Sequence, residues 1–427
     1  MTHRIPSLLA LLGLPIGKPG TFFQQTTPGQ GIPIIRGLKG SEVLHLVDGM
    51  RLNNAFFRNA PNQYFALVDA FAVQRMEVLR GSAPSLHGAD AMGGVVQVLT
   101  PEPDFDGETW QSEGRAYLSY GSAEDAVVVR AEAAAGRTNQ AFSGGVTYQH
   151  YGDRRTGGGK VVGPTGYDAR AGDLKWRNQF GRGGELMLSA QVLEQPSAPR
   201  IDELVTGFGQ DEPASALSEF RPNRRSFLHA RYRIAAGTGW FQRMEVHVAR
   251  QVITDDRLSQ DFGAIERIRE FNESTLDGIT VQFNSPWHGG ANELVWGFES
   301  YTDEVASSRL LTQLEDGSSN GTRGRFPDGS TMDSAAVYAA NRWDWERFMF
   351  EAGLRYSRFE VSLPASGEVA AVAIERQCAQ SRPSARIRPE LRPRPENLRD
   401  RLGSRAVRVL LRLPRQDHLG ADRRGDL

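Results

Sequence analysis

Between residues 110 and 360, apolar and polar side chains alternate with a period of two, in one segment after another. A chain patterned in this way is committed to extended strands with two chemically different faces. Around residues 348–357, Phe348, Phe350, Ala352, Leu354 and Tyr356 fall on one side, and Met349, Glu351, Gly353, Arg355 and Ser357 on the other. Leu228, Ala230, Tyr232 and Ile234 likewise oppose His229, Arg231 and Arg233. Met244, Val246 and Val248 oppose Arg243, Glu245 and His247, and Leu294, Trp296 and Phe298 oppose Glu293, Val295, Gly297 and Glu299.

The pattern predicts eleven strands, near residues 110–121, 124–136, 139–150, 166–178, 184–194, 225–235, 239–252, 266–285, 291–303, 332–345 and 347–360. Some connections are tight ("GSAED", "AAGTG", "WERF"), whereas 195–224 and 304–331 are long and polar. Short turns alternating with long loops, and one aromatic-aliphatic face against one charged face, point to an antiparallel transmembrane β-barrel. A soluble β-sandwich also alternates, but with shorter strands. No run of 18 apolar residues is present, so no helix is available to cross a membrane, which leaves a barrel open. A single cysteine, Cys378, excludes an internal disulfide framework and a multi-cysteine metal site.

Both ends depart from this pattern. The start, "MTHRIPSLLALLGLPIGKPG", has an Arg and a short apolar run from Leu8 to Ile16. No small-residue cleavage site follows, so residues 1–20 stay unassigned and make no convincing signal peptide. Phe359 is the last aromatic residue, and the 68 residues after it have no Phe, Trp or Tyr. Residues 1–375 carry 36 basic and 45 acidic side chains, whereas 376–427 carry 14 Arg and 6 acidic ones. The chain has 46 Arg and 4 Lys, a skew that a GC-rich genome produces without any nucleic-acid partner. An Arg- and Pro-rich tail over 361–427 could be a basic arm. It fits a shifted reading frame better, and is expected to be disordered.

Residues 21–105 are compact and punctuated by glycine. Their short strand signals are "IPIIRGLKG" (32–40), "VLHLVDGMRLNN" (43–54) and "VQRMEVLRGSAPSLHGADAMGGVVQVLT" (73–100), with a helical turn expected around Ala66–Ala70. Asp48-Gly49 suits a two-residue hairpin turn. Gly37, Gly81, Gly88, Gly93 and Gly94 suit tight turns and close backbone approach. "TPEP" then reads as a proline-rich hinge into the first long strand.

In order and spacing these three pieces resemble the plug domain of TonB-dependent outer-membrane receptors. The resemblance implies a mainly β protein: a small mixed α/β plug over 21–105, incomplete at its N-terminus, then an incomplete antiparallel barrel over 106–360. The family's barrel has 22 strands, so about half is expected here, and a fragment of this kind is expected not to transport. It implies Arg36, Glu77 and Arg80 as charges that lock the plug to the wall, with Glu293 and Glu299 as possible inner-face partners. The loop "FFRNAPNQYF" (56–65) offers Phe57, Arg58, Asn62 and Tyr64 to a ligand. His87 stands where the family's loop usually has Tyr. The implied activity is energy-coupled uptake of a large scarce nutrient, such as an iron–siderophore, haem or cobalamin. The implied partners are the TonB complex, that ligand and outer-membrane lipid, at the cell outer membrane of a Gram-negative cell.

No nucleophile elbow, P-loop, His-Glu-x-x-His or dinucleotide motif occurs, so neither an enzyme nor a resident cofactor is expected. His45, His87, His229 and His247 have no metal-ligand spacing. Two other readings stay open: an exported plug-bearing binding protein that does not transport, and a soluble β-sandwich enzyme.

Overall fold

The computed structural model describes residues 20–24, 29–57, 64–80, 84–181, 183–235, 240–287, 292–345 and 348–364. The expectations for residues 1–19, for Gly81 and for the tail beyond 364 lie outside them.

The first unit is small. A hairpin, β1 (Thr21–Gln24) and β2 (Ile32–Ile35), precedes β3 (Val43–Val47), β4 (Met50–Arg51), β5 (Arg75–Arg80) and β6 (Gly94–Leu99). The last four form a sheet in the order β4-β3-β6-β5, with β3 and β6 parallel and the other neighbours antiparallel. Val95, Val96 and Val98 of β6 are all buried, as the apolar run of a strand covered on both faces requires. The Asp48-Gly49 turn has φ of 48° and 87°, the two left-handed positions of a type I′ hairpin. Between β4 and β5 the chain makes 3-10 turns at Tyr64–Leu67 and Ala70–Ala72.

Gly94 is needed for two reasons. Its φ is +156°, and a Cβ there would lie 2.3 Å from the Leu79 carbonyl oxygen of the neighbouring strand. Gly94→Ala is therefore expected to cost about 1–3 kcal/mol, read as a lower urea midpoint; an unchanged midpoint would show that β5 can give way.

The second unit is one antiparallel meander, with a separate two-stranded β10–β11 hairpin in the connection between β9 and β12. It contains β7 (Gln111–Gly121), β8 (Ala126–Arg137), β9 (Gln140–Tyr151), β10 (Arg154–Arg155), β11 (Val161–Val162), β12 (Tyr167–Phe180) and β13 (Gly184–Gln195). It continues through β14 (Ala198–Pro199), β15 (Ser215–Ala235), β16 (Arg243–Asp261), β17 (Glu266–Trp287) and β18 (Asn292–Gln313). It ends with β19 (Ser319–Arg323), β20 (Ser330–Trp345) and β21 (Phe348–Ser362). Eleven long strands pair in the order β7-β8-β9-β12-β13-β15-β16-β17-β18-β20-β21. Among the described residues, the two end strands do not pair with each other, so the wall is an open sheet. Residues 215–224 and 304–313, expected to be loop, belong to β15 and β18, and 319–323 form a strand paired with β18.

Burial shows which face is which. Leu174, Leu228 and Leu354 are 65%, 57% and 56% exposed, whereas Arg177, Arg231 and Arg355 are 6%, 6% and 9%. Apolar side chains point outward and charges inward, the reverse of a soluble sandwich and the pattern of a lipid-embedded wall. Aromatic rows ring the outside near the short turns: Trp110, Phe142 and Trp176 stack at 6.2 and 6.4 Å, and Trp240, Phe283 and Trp296 meet at 5.6 and 4.3 Å. Exposed Tyr148 and Tyr356 sit farther along the strands that carry Phe142 and Phe350, roughly 20 Å away at ~3.4 Å per residue. Two such girdles flank the apolar band of a membrane barrel. Among the described residues, no helix is long and apolar enough to cross a membrane.

The two units share one core. Val47, Met50, Leu52, Phe56 and Phe65 of the small unit cluster with Phe227, Ile253, Leu276, Tyr301 and Val305 of the wall. The small unit is thus seated against the wall's inner face.

Candidate functional site at the plug–wall interface

Seating a polar loop-rich unit against a charged wall requires that each buried ion find a partner. The wall supplies mainly cations and the plug mainly acids. Arg130 on β8 lies 3.3 Å from Asp69 of the plug, 2.9 Å from Glu132 and 2.8 Å from Asp173. Asp69 also accepts from the Thr147 hydroxyl (2.6 Å) and from the Phe71 N–H (3.1 Å), where it caps a 3-10 turn. Burial pushes its carboxyl up, against the pull of Thr147, the Phe71 N–H and Arg130.

Three further links hold the plug's lower part and its hinge. Asp48 accepts from the Thr100 N–H and hydroxyl (2.8 and 2.6 Å) and from Gln191 of the wall (3.1 Å), with Lys175 at 3.6 Å. Glu102 receives both arms of Arg231 (2.6 and 3.0 Å), which also holds Glu185 at 2.9 Å. Asp104 pairs with Arg177 at 2.7 Å. The "TPEP" hinge is thereby tied to β12 and β15. Higher up, the Tyr64 hydroxyl donates to Asp255 (2.6 Å), Gln251 donates to the Leu52 carbonyl (3.2 Å), and Arg355 donates to the Leu86 carbonyl (3.2 Å).

Residues expected from sequence fall in several places. Glu77 pairs with Arg75 on its own strand at 2.8 Å, both side chains more than half exposed. Arg36, in a left-handed conformation at φ 52°, and Arg80 are exposed. Glu299 pairs with Arg355, and Glu293 accepts from Asn284 at 2.6 Å. Phe57 and Tyr64 are buried. Arg58 and Asn62 lie outside the described residues. Gly37 and Gly88 have positive φ, and Gly93 packs against Leu38 and Ile35.

His87 lies beside Arg355, and burial, helped by that charge, holds its pKa down at about 4. His229 and His247 meet across two strands with ring nitrogens 3.0 Å apart. Among the described residues no group of three or more His, Cys, Asp or Glu side chains could hold a metal.

The links that bridge plug and wall — Asp69, Arg130, Lys175, Glu102 and Arg231 — went unread in the sequence. The signal the sequence carries is a cation at an inward register position inside a largely apolar strand, as Arg130 is in β8.

Two sequence families match the chain. "TonB-dependent Receptor Plug Domain" matches residues 16–95. "TonB dependent receptor-like, beta-barrel" matches residues 147–373, more than half of the chain. A relative, "Vitamin B12 transporter BtuB" of Vibrio vulnificus (strain CMCP6), is 29% identical over 190 residues, covering 43% of this chain and 29% of the relative. Among solved structures, "Copper transporter OprC" superposes with a TM-score of 0.69 at 18% identity, over 83% of this chain and 54% of that one. The unliganded "ferric citrate transporter FecA" gives 0.63 at 15%, over 82% and 53%. The chain thus spans less than a third of that relative and about half of those structures.

Proposed function

Because the chain belongs to the TonB-dependent receptor family, a family of transport receptors and not of enzymes, we propose that it supplies the plug and an open part of the wall to a receptor for energy-coupled uptake of a large scarce nutrient across the outer membrane, and that this open wall alone does not transport. An iron–siderophore, haem or cobalamin is the class of cargo, and the TonB complex supplies the pull on the plug. Residues 21–105 act as the plug and 106–360 as the lipid-facing wall. The carrying observation is how the plug is seated: the Glu102–Arg231, Asp104–Arg177 and Asp69–Arg130 pairs hold it by ions rather than by apolar burial alone.

Such a seat can be released. Ion pairs with side chains still reached by solvent, such as Asp104 at 73% exposed, exchange for water as they part. A plug held only by apolar contacts would expose its core in the same motion. We extend the locking proposal to Arg36, Glu77 and Arg80 as charges on the exposed side of the plug that engage wall or partner during that movement. Phe57, Arg58, Asn62 and Tyr64 belong to the loop that faces the cargo.

The test is genetic. Deleting the gene in its host should abolish growth on one limiting source among ferric chelates, haem and cobalamin, and restoring the gene should restore it. Unchanged growth on all of them would overturn the uptake reading.

A further inference from the structure

At the end of the wall where the long connections lie, three guanidinium groups converge on two carboxylates. Arg257 holds Asp255 with two hydrogen bonds (2.6 and 2.5 Å) and lies over the Phe220 ring at 4.9 Å. Arg325, in the connection between β18 and β20, holds Glu270 at 2.8 Å. Arg309 reaches the same Glu270 only at 3.8 Å. Asp328 is turned to the Ser307 N–H at 2.8 Å.

Donors outnumber acceptors in this cluster. Arg257 is 6% exposed, yet its Nη1 has no hydrogen-bond partner among the described residues, and neither has Nε of Arg309. Burial, and then the like charge of Arg257, weaken the hold of Arg325 on its proton. A buried guanidinium with an unused N–H, beside a second cation disfavoured where it sits, gains most from an anionic oxygen acceptor. The planar fork of Arg suits carboxylates and other paired anionic oxygens.

Beside the cluster lies an aromatic surface shared by plug and wall. Phe56 of the plug stacks on Phe326 at 4.8 Å, with Tyr64 6.2 Å from Phe56 and bonded to Asp255. Phe326 directly follows Arg325, so one connection supplies both a cation and a ring.

We propose that Arg257, Arg309 and Arg325 form an anion-binding site at the outer mouth, and that the cargo is a chelate whose outer surface carries anionic oxygens. The inference rests on the uptake reading and narrows it. A neutral or cationic chelate would leave the unused donors unpaired, and a cationic one would add to the local excess of positive charge.

The full chain in detergent is dialysed against two probes, ferric citrate (anionic) and ferrioxamine B (cationic). Ferric citrate is expected to bind. Arg325→Gln is expected to weaken it at least about tenfold, the loss of one charge-assisted hydrogen-bonded contact, and Arg325→Lys less. Arg325 lies in a surface connection, and an unchanged urea midpoint of the variant verifies the fold.

Ferrioxamine B binding as well as ferric citrate, or ferric citrate unaffected by Arg325→Gln, overturns the anion site while leaving an uptake receptor. Binding of neither probe also overturns it. The uptake reading stands or falls separately, on the growth experiment.

Discussion

Replacing Arg130 with Met should cost about 3–5 kcal/mol, the loss expected when one partner of a buried ionic cluster is removed. Arg130 is 4% exposed and is the cation shared by Asp69, Glu132 and Asp173. Without it, three carboxylates face one another across the plug–wall contact. Asp69 keeps only the Thr147 hydroxyl, the Phe71 N–H and a long contact from Gln149 at 3.4 Å. The change should appear as a lower urea concentration for plug release, read by protease cleavage at the Thr100–Pro103 hinge.

The cluster as a whole is worth less than this deletion suggests, because an intact pair has already lost its hydration. Adding Asp69→Asn to Arg130→Met should therefore recover part of the loss. If Arg130→Met shifts plug release by less than about 1 kcal/mol, the ion pairs are ornaments on an apolar seat, and release by ionic exchange loses its basis.

Sequence pattern yields the wall where lipid enforces it. Across β7–β21 one face must be apolar over the membrane band, so the strands announce themselves and their faces can be assigned. Beyond the band the constraint lapses. Residues 304–313 of β18, "EVASSRLLTQ", mix polar and apolar side chains on both faces and read as loop, although they stay paired with β17 to Gln313. At the start of β15 the obstacle is Pro222 in "EFRPNR". Its ladder is interrupted between Phe220 and Asn223, a bulge in which a missing N–H costs nothing.

The site was harder to read than the fold. Asp69 and Arg130 are 61 positions apart, and nothing local to either marks the other as its partner. The Tyr64 hydroxyl donates to Asp255 of the wall, a partner 191 positions away that nothing near either residue marks. Strand period reports a side chain's face, not the identity of what lies opposite. Ionic complementarity between plug and wall becomes visible only once the two are docked.

Acidification offers a second large effect, located in the plug itself. His45 is fully buried on β3, and burial, opposed by its bond to Asn53, holds its pKa at about 4, down from 6.5. The reason lies in its surroundings. Its ring sits 5.3 Å from Phe65 and 5.7 Å from Phe57, Nδ1 is 3.2 Å from the side-chain Oδ1 of Asn53, and Nε2 has no hydrogen-bond partner among the described residues.

The folded plug therefore keeps His45 neutral while the unfolded chain takes up a proton below pH 6.5. Stability is unaffected by His45 above that pH, falls as the pH drops from about 6.5 to about 4, and levels off below. The full loss is about 3 kcal/mol, at about 1.36 kcal/mol for each pH unit between 6.5 and about 4. In His45→Leu this component should vanish. Asn53 stays satisfied there, because its amide donates to the Val43 carbonyl (3.0 Å) and its oxygen accepts the backbone N–H of residue 45 (2.9 Å). Carboxylates titrate in both proteins, so the difference between the two urea-midpoint curves isolates the histidine. Parallel curves from pH 7 to 4 would mean that the proton reaches His45 without opening the plug, and that the core around Phe65 is looser than its burial implies.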